Sequence, residues 1–412
     1  MSADGRCRHC GAPLEQSFCD LGLSPLANSY VEPEQLNRGE TFLPLHVLVC
    51  NQCWLVQLQE FESPANIFSD YAYFSSYSQS WLEHARVYSE EMTARFGFDS
   101  TSSVIEIASN DGYLLQNFAK KGIRVLGIEP AANVALVAEQ QGIPSLVKFF
   151  GSETAQALVQ QGQQADLLIG NNVLAHVPQL NDFVQGMKIL LKPTGLITME
   201  FPYLVRLMAE NQFDTIYHEH FSYFSFVTVE RIFRAHGLQI FDVQQLTTHG
   251  GSLRIFASHV GAPAHPIKPV VPTLLAEERA AGLEGAEAYR NFSRRVQKTK
   301  RGILKFLIEA NEQGKKVVGY GAPAKGNTLL NYCGVRSDLI EYTVDRSPHK
   351  QNRFLPGCRI PILSPDAIRE TKPDYVLILP WNLEREITEQ MAYVREWGGR
   401  FVVPIPEIKI ID

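Results

Sequence analysis

Four cysteines near the start of the chain form two pairs, Cys7-Arg-His-Cys10 and Cys50-Asn-Gln-Cys53. Each such turn places two sulfurs on one side, and two turns complete the tetrahedral thiolate set that Zn²⁺ prefers. The plain alternative is two unrelated pairs of small core cysteines. Cys19 is left over and His9 lies between two ligand positions, so neither is expected to bind. The total of seven cysteines is odd and no leader-like segment is evident, which argues against a disulfide framework. Residues 1–62 carry three basic side chains, Arg6, Arg8 and Arg38, against eight acidic ones. That is the wrong sign for gripping phosphates. The metal is expected to be structural, supplying folding energy to a small module.

A second constellation is Glu106-Ile-Ala-Ser-Asn110-Asp111-Gly112, which overlaps the end of the apolar run Val104–Ile107. Glu129 closes the next apolar run, 23 residues after Glu106. In an open parallel sheet, ligands bind beyond the carboxyl ends of the strands. A dinucleotide needs G-x-G-x-x-G so that backbone amides can approach the pyrophosphate, and only Gly112 remains of that trio. S-adenosylmethionine has no phosphate, so its loop tolerates Asn and Asp able to bind the amino-acid portion. Glu129 would accept hydrogen bonds from ribose hydroxyls in either case. Asn171 and Asn172 end a third apolar run.

The densest reactive cluster is Phe213-Asp-Thr-Ile-Tyr217-His218-Glu219-His220-Phe221-Ser222-Tyr223-Phe224-Ser225. Imidazole, with an unperturbed pKa of ~6.5, suits general-base work at neutral pH. Glu219 could hold a histidine in one tautomer or stabilise its charged form. Tyr217 and a second histidine, with His176 as a further candidate, could donate to an oxyanion. His218-x-His220 lacks the i, i+4 spacing of a helical metal pair, and Tyr223 and Phe224 read as core aromatics. Tyr71 and Tyr73 lie in a Ser-rich loop, free to face a ligand. They precede a helical pattern with Trp81, Leu82, Ala85, Tyr88 and Met92 on one face, for which core packing is expected.

The elements that must position these groups alternate between strand and helix. Apolar runs at 104–107, 125–128, 166–169, 196–201, 239–243 and 252–257 predict a sheet of parallel βαβ units with helices on both faces. Residues 263–272 are Pro-rich and read as a linker. Residues 273–311 read as one long amphipathic helix or a broken pair. A second α/β pattern has strands at 315–319, 339–344, 375–379 and 400–403. Its first turn, Gly321-Ala-Pro-Ala-Lys325-Gly326-Asn327, could offer amides and a cation to phosphate, with Lys350 a second cation. An ordinary solvated Lys325 is the alternative.

The chain has 412 residues, 45% of them hydrophobic and 20% charged, enough for two or three domains. A net charge of −6 disfavours a dedicated partner among nucleic acids or anionic membranes. No apolar run approaches the ~20 residues of a membrane span, so a cytoplasmic protein is expected, monomeric or weakly oligomeric.

Together these motifs acquire a resemblance. Glu106-x-x-x-Asn110-Asp111-Gly112, Gly127-Ile-Glu129-Pro130 and Asn171-Asn172-Val-Leu-Ala-His176-Val-Pro178 resemble those of a class I methyltransferase, with Ala108 where Gly is common. The full chain is similar to the sugar C-methyltransferases of deoxysugar biosynthesis, which methylate nucleotide-linked 4-keto sugars at carbon 3. The cysteine module, Tyr217-x-Glu219-His220-Phe221, His249-Gly250-Gly251, Gly319-Tyr-Gly-Ala-Pro-Ala-Lys325 and Asp345…Lys350-Gln351-Asn352-Arg353 carry the likeness.

The resemblance implies an α/β protein with three parts. A small zinc-binding domain (1–62) is followed by a Rossmann-like methyltransferase domain with a helical lead-in (63–262). A linker and helix (263–312) lead to a second Rossmann-like domain (313–412). It implies S-adenosylmethionine held by Glu106, Asn110, Asp111, Gly112, Glu129, Asn171 and Asn172, and structural zinc on Cys7, Cys10, Cys50 and Cys53. His220 is then the base that removes a proton α to the keto group, with Glu219 in support. Tyr217, His176 and Tyr71 would line the sugar pocket. The partner is a nucleotide-diphosphate sugar, with a dTDP-linked 4-keto sugar expected, held through Lys325, Asn327 and Lys350. Two other readings remain: O- or N-methylation of a metabolite, and a metal-organised binding module with an inactive methyltransferase fold.

Overall fold

The computed structural model describes residues 5–68 and 75–412. Tyr71 and Tyr73 lie outside the described residues. The chain packs as two compact units. The first contains the residues up to Leu14, Cys50–Tyr203 and Phe221–Ala286; the second contains Glu15–Val49, Leu204–His220 and Glu287–Asp412. The cysteine segment is thus divided, with both Cys pairs in the first unit.

The first unit is built on a seven-stranded sheet. Its order in space is Leu238–Leu246, Ser252–His259, Leu191–Pro202, Ala165–Asn171, Ser103–Ile107, Arg124–Ile128 and Ser145–Leu146. The last five run parallel, so their carboxyl ends share one edge. Ser252–His259 departs from the expected parallel pattern, because it pairs antiparallel with both of its neighbours. The physical reason is the connection: the few residues between Leu246 and Ser252 can close a hairpin but cannot make the crossover a parallel pair needs.

Gln79–Phe96 is a helix because Ser78 caps Trp81 N–H at its start and Gly97, at φ 71°, ends it in the left-handed conformation. It buries Ala85, Tyr88 and Met92 in a core that includes Val104, Leu115, Phe118 and Ile169. Trp81 packs against the same core from a half-buried position, so both helix aromatics pack as expected. The segment read as one long helix or a pair is broken into Val270–Ala280, Glu287–Arg290 and Phe292–Glu312.

The second unit holds a six-stranded sheet ordered Ile362–Leu363, Thr343–Val344, Val317–Tyr320, Tyr375–Ile378, Arg400–Val403 and Lys409–Ile411. All pairs are parallel except the last. The expected strand at 339–344 shrinks to two residues, and Ile362–Leu363 and Lys409–Ile411 are additions. The unit also contains the antiparallel pair Gln16–Ser24 and Leu43–Val49. Phe18 of that pair stacks on Phe292 at 4.6 Å between ring centres.

Candidate active site and metal centre

The two cysteine turns meet within the first unit. All four sulfurs lie within 4.8 Å of one another, with Cys7–Cys53 at 3.4 Å and Cys10–Cys50 at 3.5 Å. A zinc ion with four sulfurs at ~2.3 Å spaces them by about 3.8 Å, so the cradle has the dimensions of that ion. Gln57 Nε2 points at Cys7 Sγ from 3.2 Å, and Gln52 N at Cys50 Sγ from 3.4 Å, as donors do toward thiolates. His9 pairs instead with Asn181, Nδ1 to Oδ1 at 2.9 Å. Cys19 is a core thiol of the other unit, pushed up to about 12 by burial.

At the carboxyl edge of the first sheet, the loop after Ser103–Ile107 turns back on itself. Ala108 and Asn110 adopt φ of 55° and 51°, and Gly112 follows at 77°. A Cβ on Gly112 would stand 3.0 Å from Ile143, so the turn is tight. Glu129 organises it, accepting from Asn110 N–H and Ala131 N–H at 2.9 Å each. Asn110 Oδ1 and Asp111 Oδ2 accept from the backbone N–H groups of Ser75 and Ser76.

Several buried atoms of this edge have no hydrogen-bond partner among the described residues. They are both carboxylate oxygens of Glu106, Asp111 Oδ1, Ser109 Oγ, Asn171 Oδ1 and Asn172 Oδ1. Burial, with the charges of Glu129 and Asp111, raises the Glu106 carboxyl well above its ordinary range. Such an acceptor-rich set is what a ligand with ammonium and hydroxyl donors would satisfy. These residues fit S-adenosylmethionine, with its amino group and ribose hydroxyls.

Beside this edge lies a charged network that sequence reading missed. Glu200 is buried near the end of Leu191–Pro202. Its Oε2 accepts from His84 Nε2 at 2.9 Å and from Arg254 Nη2 at 2.8 Å, and Oε1 accepts from Thr248 at 2.8 Å. Arg254 is its register partner on the neighbouring strand. Burial pushes the carboxyl up, but the His84 hydrogen bond and the Arg254 charge outweigh it and hold Glu200 at about 2. His84 stacks on Trp81 at 4.8 Å, and Trp81 meets His249 edge-on at 5.1 Å. His249 Nε2 lies 3.1 Å from Asn172 Nδ2, and both residues have positive φ. The one available signal was an acidic residue inside an otherwise apolar strand. His176, on the turn Leu174–His176 after strand Ala165–Asn171, is half-buried in the same unit.

The reactive segment Tyr217–His220 belongs to the second unit. His220 Nδ1 lies 2.7 Å from the carbonyl oxygen of Thr215. A carbonyl only accepts, so Nδ1 carries the proton and Nε2 of the neutral ring carries the lone pair. Tyr217 packs on that ring at 4.1 Å between centres. Glu219, expected to hold a histidine, has Asn28 as a partner, Nδ2 to Oε1 at 2.6 Å, and burial pushes its carboxyl up to about 7. The tautomer of His220 is therefore set by a backbone carbonyl, which side-chain motifs do not reveal. His218 faces Pro44 O at 3.2 Å and is buried.

In the same unit, Tyr30 and Lys350 converge on the turn after Val317–Tyr320. Tyr30 Oη and Lys350 Nζ both donate to Ala322 O, at 2.6 and 3.0 Å, and Asp345 lies 3.6 Å from the Lys350 ammonium. Tyr30 and Asn28 were not singled out from sequence. Lys325 lies over the Trp381 ring at 4.5 Å and donates to Asn382 Oδ1 at 2.5 Å. Asn327 is buried within helix Ala324–Cys333, its Oδ1 accepting from Asn331 Nδ2 at 3.1 Å.

Three family models match the chain. "C-methyltransferase C-terminal domain" covers 247–406, "Putative zinc binding domain" covers 7–68 and "Methyltransferase domain" covers 81–243. The C-methyltransferase NovU of Streptomyces niveus is 39% identical over 406 residues, 98% of this chain and 96% of that one. A ubiquinone biosynthesis O-methyltransferase of Chelativorans is 28% identical, but over only 26% of this chain and 46% of its own. Among solved structures, magnesium protoporphyrin IX methyltransferase from Synechocystis is 15% identical over 43% of this chain and 79% of its own, at a TM-score of 0.33.

The O-methyltransferase similarity spans 116 residues, whereas the C-methyltransferase similarity, at 98% of the chain, runs through the cysteine module and the C-terminal sheet. Carbon, not oxygen or nitrogen, is the methyl acceptor, and the reading as an inactive module falls with it. The chain belongs to the family of S-adenosylmethionine-dependent C-methyltransferases that carry an N-terminal zinc-binding domain.

Proposed function

We propose that this C-methyltransferase acts on a nucleotide-linked 4-keto deoxysugar, with a dTDP-linked sugar the expected form, and that His220 is its base. The observation that carries the reading is the fixed tautomer of His220, which puts the basic lone pair of the neutral ring on Nε2. A sugar C–H becomes acidic enough for imidazole only where an adjacent carbonyl receives the charge, so the keto group serves as electron sink. Glu219, next in sequence and buried, supports the imidazolium that forms. Tyr217, His176 and Tyr71 are the residues proposed to line the sugar pocket, with Tyr217 or His176 donating to the enolate oxygen. S-adenosylmethionine, when bound, supplies the electrophilic sulfonium methyl that the enolate carbon takes.

Glu106, Asn110, Asp111, Gly112, Glu129, Asn171 and Asn172 are proposed to hold that donor. Lys325, Asn327 and Lys350 are proposed to bind the nucleotide diphosphate. The functional spans are then 1–62 for zinc, 63–262 for the donor, 263–312 as linker and helix, and 313–412 for the nucleotide. Among the described residues no helix is long and apolar enough to cross a membrane, and a cytoplasmic setting is part of the proposal. The test is His220→Asn with the α-proton followed in D₂O. Loss of both exchange and turnover with S-adenosylmethionine still bound supports the assignment, and exchange at the parent rate refutes it.

A further inference from the structure

The turn that orients His220 is itself anchored by a buried side chain with no role in the proposed mechanism. Asp214 lies in the one-turn helix Phe213–Thr215 and is fully buried. Its Oδ2 accepts the indole N–H of Trp381 at 2.7 Å. Its Oδ1 has no hydrogen-bond partner among the described residues. Lys325 lies over the face of that same indole at 4.5 Å, and its charge acts on Asp214 against the cost of burial. One tryptophan therefore serves the carboxylate through its N–H and the ammonium through its ring.

The turn is otherwise held by the buried side chains of Phe213 and Ile216, by Thr215 Oγ1 donating to Gln212 O at 2.7 Å, and by backbone hydrogen bonds. Ile216 N–H donates to Phe213 O at 3.0 Å and Thr215 N–H to Gln212 O at 3.2 Å. Phe213 packs edge-on against Tyr332 at 5.4 Å. The next carbonyl after Asp214 is that of Thr215, which receives His220 Nδ1–H. A rotation at Asp214 is transmitted through one peptide unit to the atom that sets the base's tautomer and aim. A buried carboxylate is costly to keep.

We infer that Asp214, held by Trp381 and Lys325, is a positioning residue for His220, joining the C-terminal sheet to the loop that carries the base. The inference rests on the reading of His220 as base. It also gives Lys325 a second task, next to the first turn of helix Ala324–Cys333 that is proposed to meet phosphate. The charged or titratable groups bearing on the pair are Lys325 at Asp214, and Tyr217 with the neighbouring Glu219 at His220.

The experiment compares Asp214→Ala and Trp381→Phe with the parent, using the dTDP-linked 4-keto deoxyhexose that the parent turns over. Trp381→Phe keeps the ring under Lys325 and removes only the N–H, so it serves if Asp214→Ala fails to fold. Expected is a roughly ten- to hundred-fold fall in kcat and in α-proton exchange, with the Kd for S-adenosylmethionine unchanged. The acid limb of the kcat/KM profile should move to lower pH, because an imidazolium that loses its carbonyl acceptor is less stabilised. A merely structural role would lower the yield of folded enzyme and leave that limb in place. Parent-like kcat and an unmoved limb in the folded variants would overturn the inference while His220→Asn still abolishes exchange. Persistent exchange in His220→Asn would overturn it together with the base assignment.

Discussion

Arg8, which sits between two zinc ligands in sequence, donates from Nη1 to the carbonyl oxygen of Phe221 at 2.6 Å. The same guanidinium reaches Ser222 Oγ at 3.2 Å and, through Nη2, the carbonyl of Leu58. Leu58 N–H donates to Phe221 O at 3.0 Å, and Phe221 N–H to Ala175 O at 2.7 Å. The cysteine knuckle thus ties the strand pair Val56–Leu58 and Ser222–Tyr223 to the turn that ends in His176. A metal that is structural by charge and position still fixes the residue that follows the proposed base.

Zinc should therefore be tightly held and needed for folding. Metal analysis is expected to find about one zinc ion per chain, and Cys50→Ala should lose it together with several kcal/mol of stability in thermal unfolding. Arg8→Met, which keeps the ligands, should retain the zinc and cost about 2 kcal/mol through the charge-assisted hydrogen bonds lost at the Phe221 and Leu58 carbonyls.

The donor loop predicts a binding effect at Glu129, which orders two backbone N–H groups there. Glu129→Ala should weaken S-adenosylmethionine by about 10- to 100-fold in calorimetry, and should also lower the thermal midpoint without ligand because two buried N–H groups lose their acceptor. Unchanged affinity would place the donor elsewhere.

Ala108 holds a left-handed φ of 55°, a conformation that costs a non-glycine residue roughly 1 kcal/mol. Ala108→Gly should leave chemical stability equal or higher by up to about 1 kcal/mol and preserve donor binding. A loss of binding would show that the methyl group itself shapes the loop.

Glu200, held at about 2 in the folded chain, contributes stability that is present above the ordinary glutamate pKa and lost as pH falls through its folded value. Between about pH 4.5 and 2 this amounts to about 3 kcal/mol. Glu200→Gln should be destabilised at pH 7 and should lose less stability over that acid window than the parent. Equal acid profiles would exclude the network as a source of stability.

Glu219 shifts the opposite way, to about 7, because it is buried. Its neutral form favours folding, so that contribution is complete below the unfolded pKa near 4.5 and lost as pH rises through 7. Activity should rise over the same range as the carboxylate forms beside the imidazolium. Glu219→Gln should lower kcat and remove that part of the limb, read from a pH profile.

The cysteine pairs and the Glu106…Glu129 spacing could be read from sequence because each is a local pattern imposed by a turn or a strand end. Six of the seven strands of the first sheet were marked by apolar runs. The Ser145–Leu146 strand was not, since two residues carry no period. The Glu200–His84 bond joins residues 116 apart in sequence and the Glu200–Arg254 bond residues 54 apart; strand pairing makes Arg254 a neighbour, and the packing of helix Gln79–Phe96 brings His84. The Thr215 carbonyl that orients His220 belongs to the backbone and has no signature in residue type. Asn28, the partner of Glu219, lies in a stretch that reads as part of the zinc module but packs in the other unit.

The central claim is carbon methylation α to a sugar ketone. It is tested most directly by supplying S-adenosylmethionine with a ¹³C-labelled methyl and a panel of nucleotide-linked 4-keto deoxysugars, and recording carbon NMR of the product. The prediction is a methyl resonance coupled to carbon 3 of the sugar ring, formed by the parent and absent with His220→Asn. A labelled methoxy or N-methyl signal, or the same C-methyl product from His220→Asn at the parent rate, would contradict it.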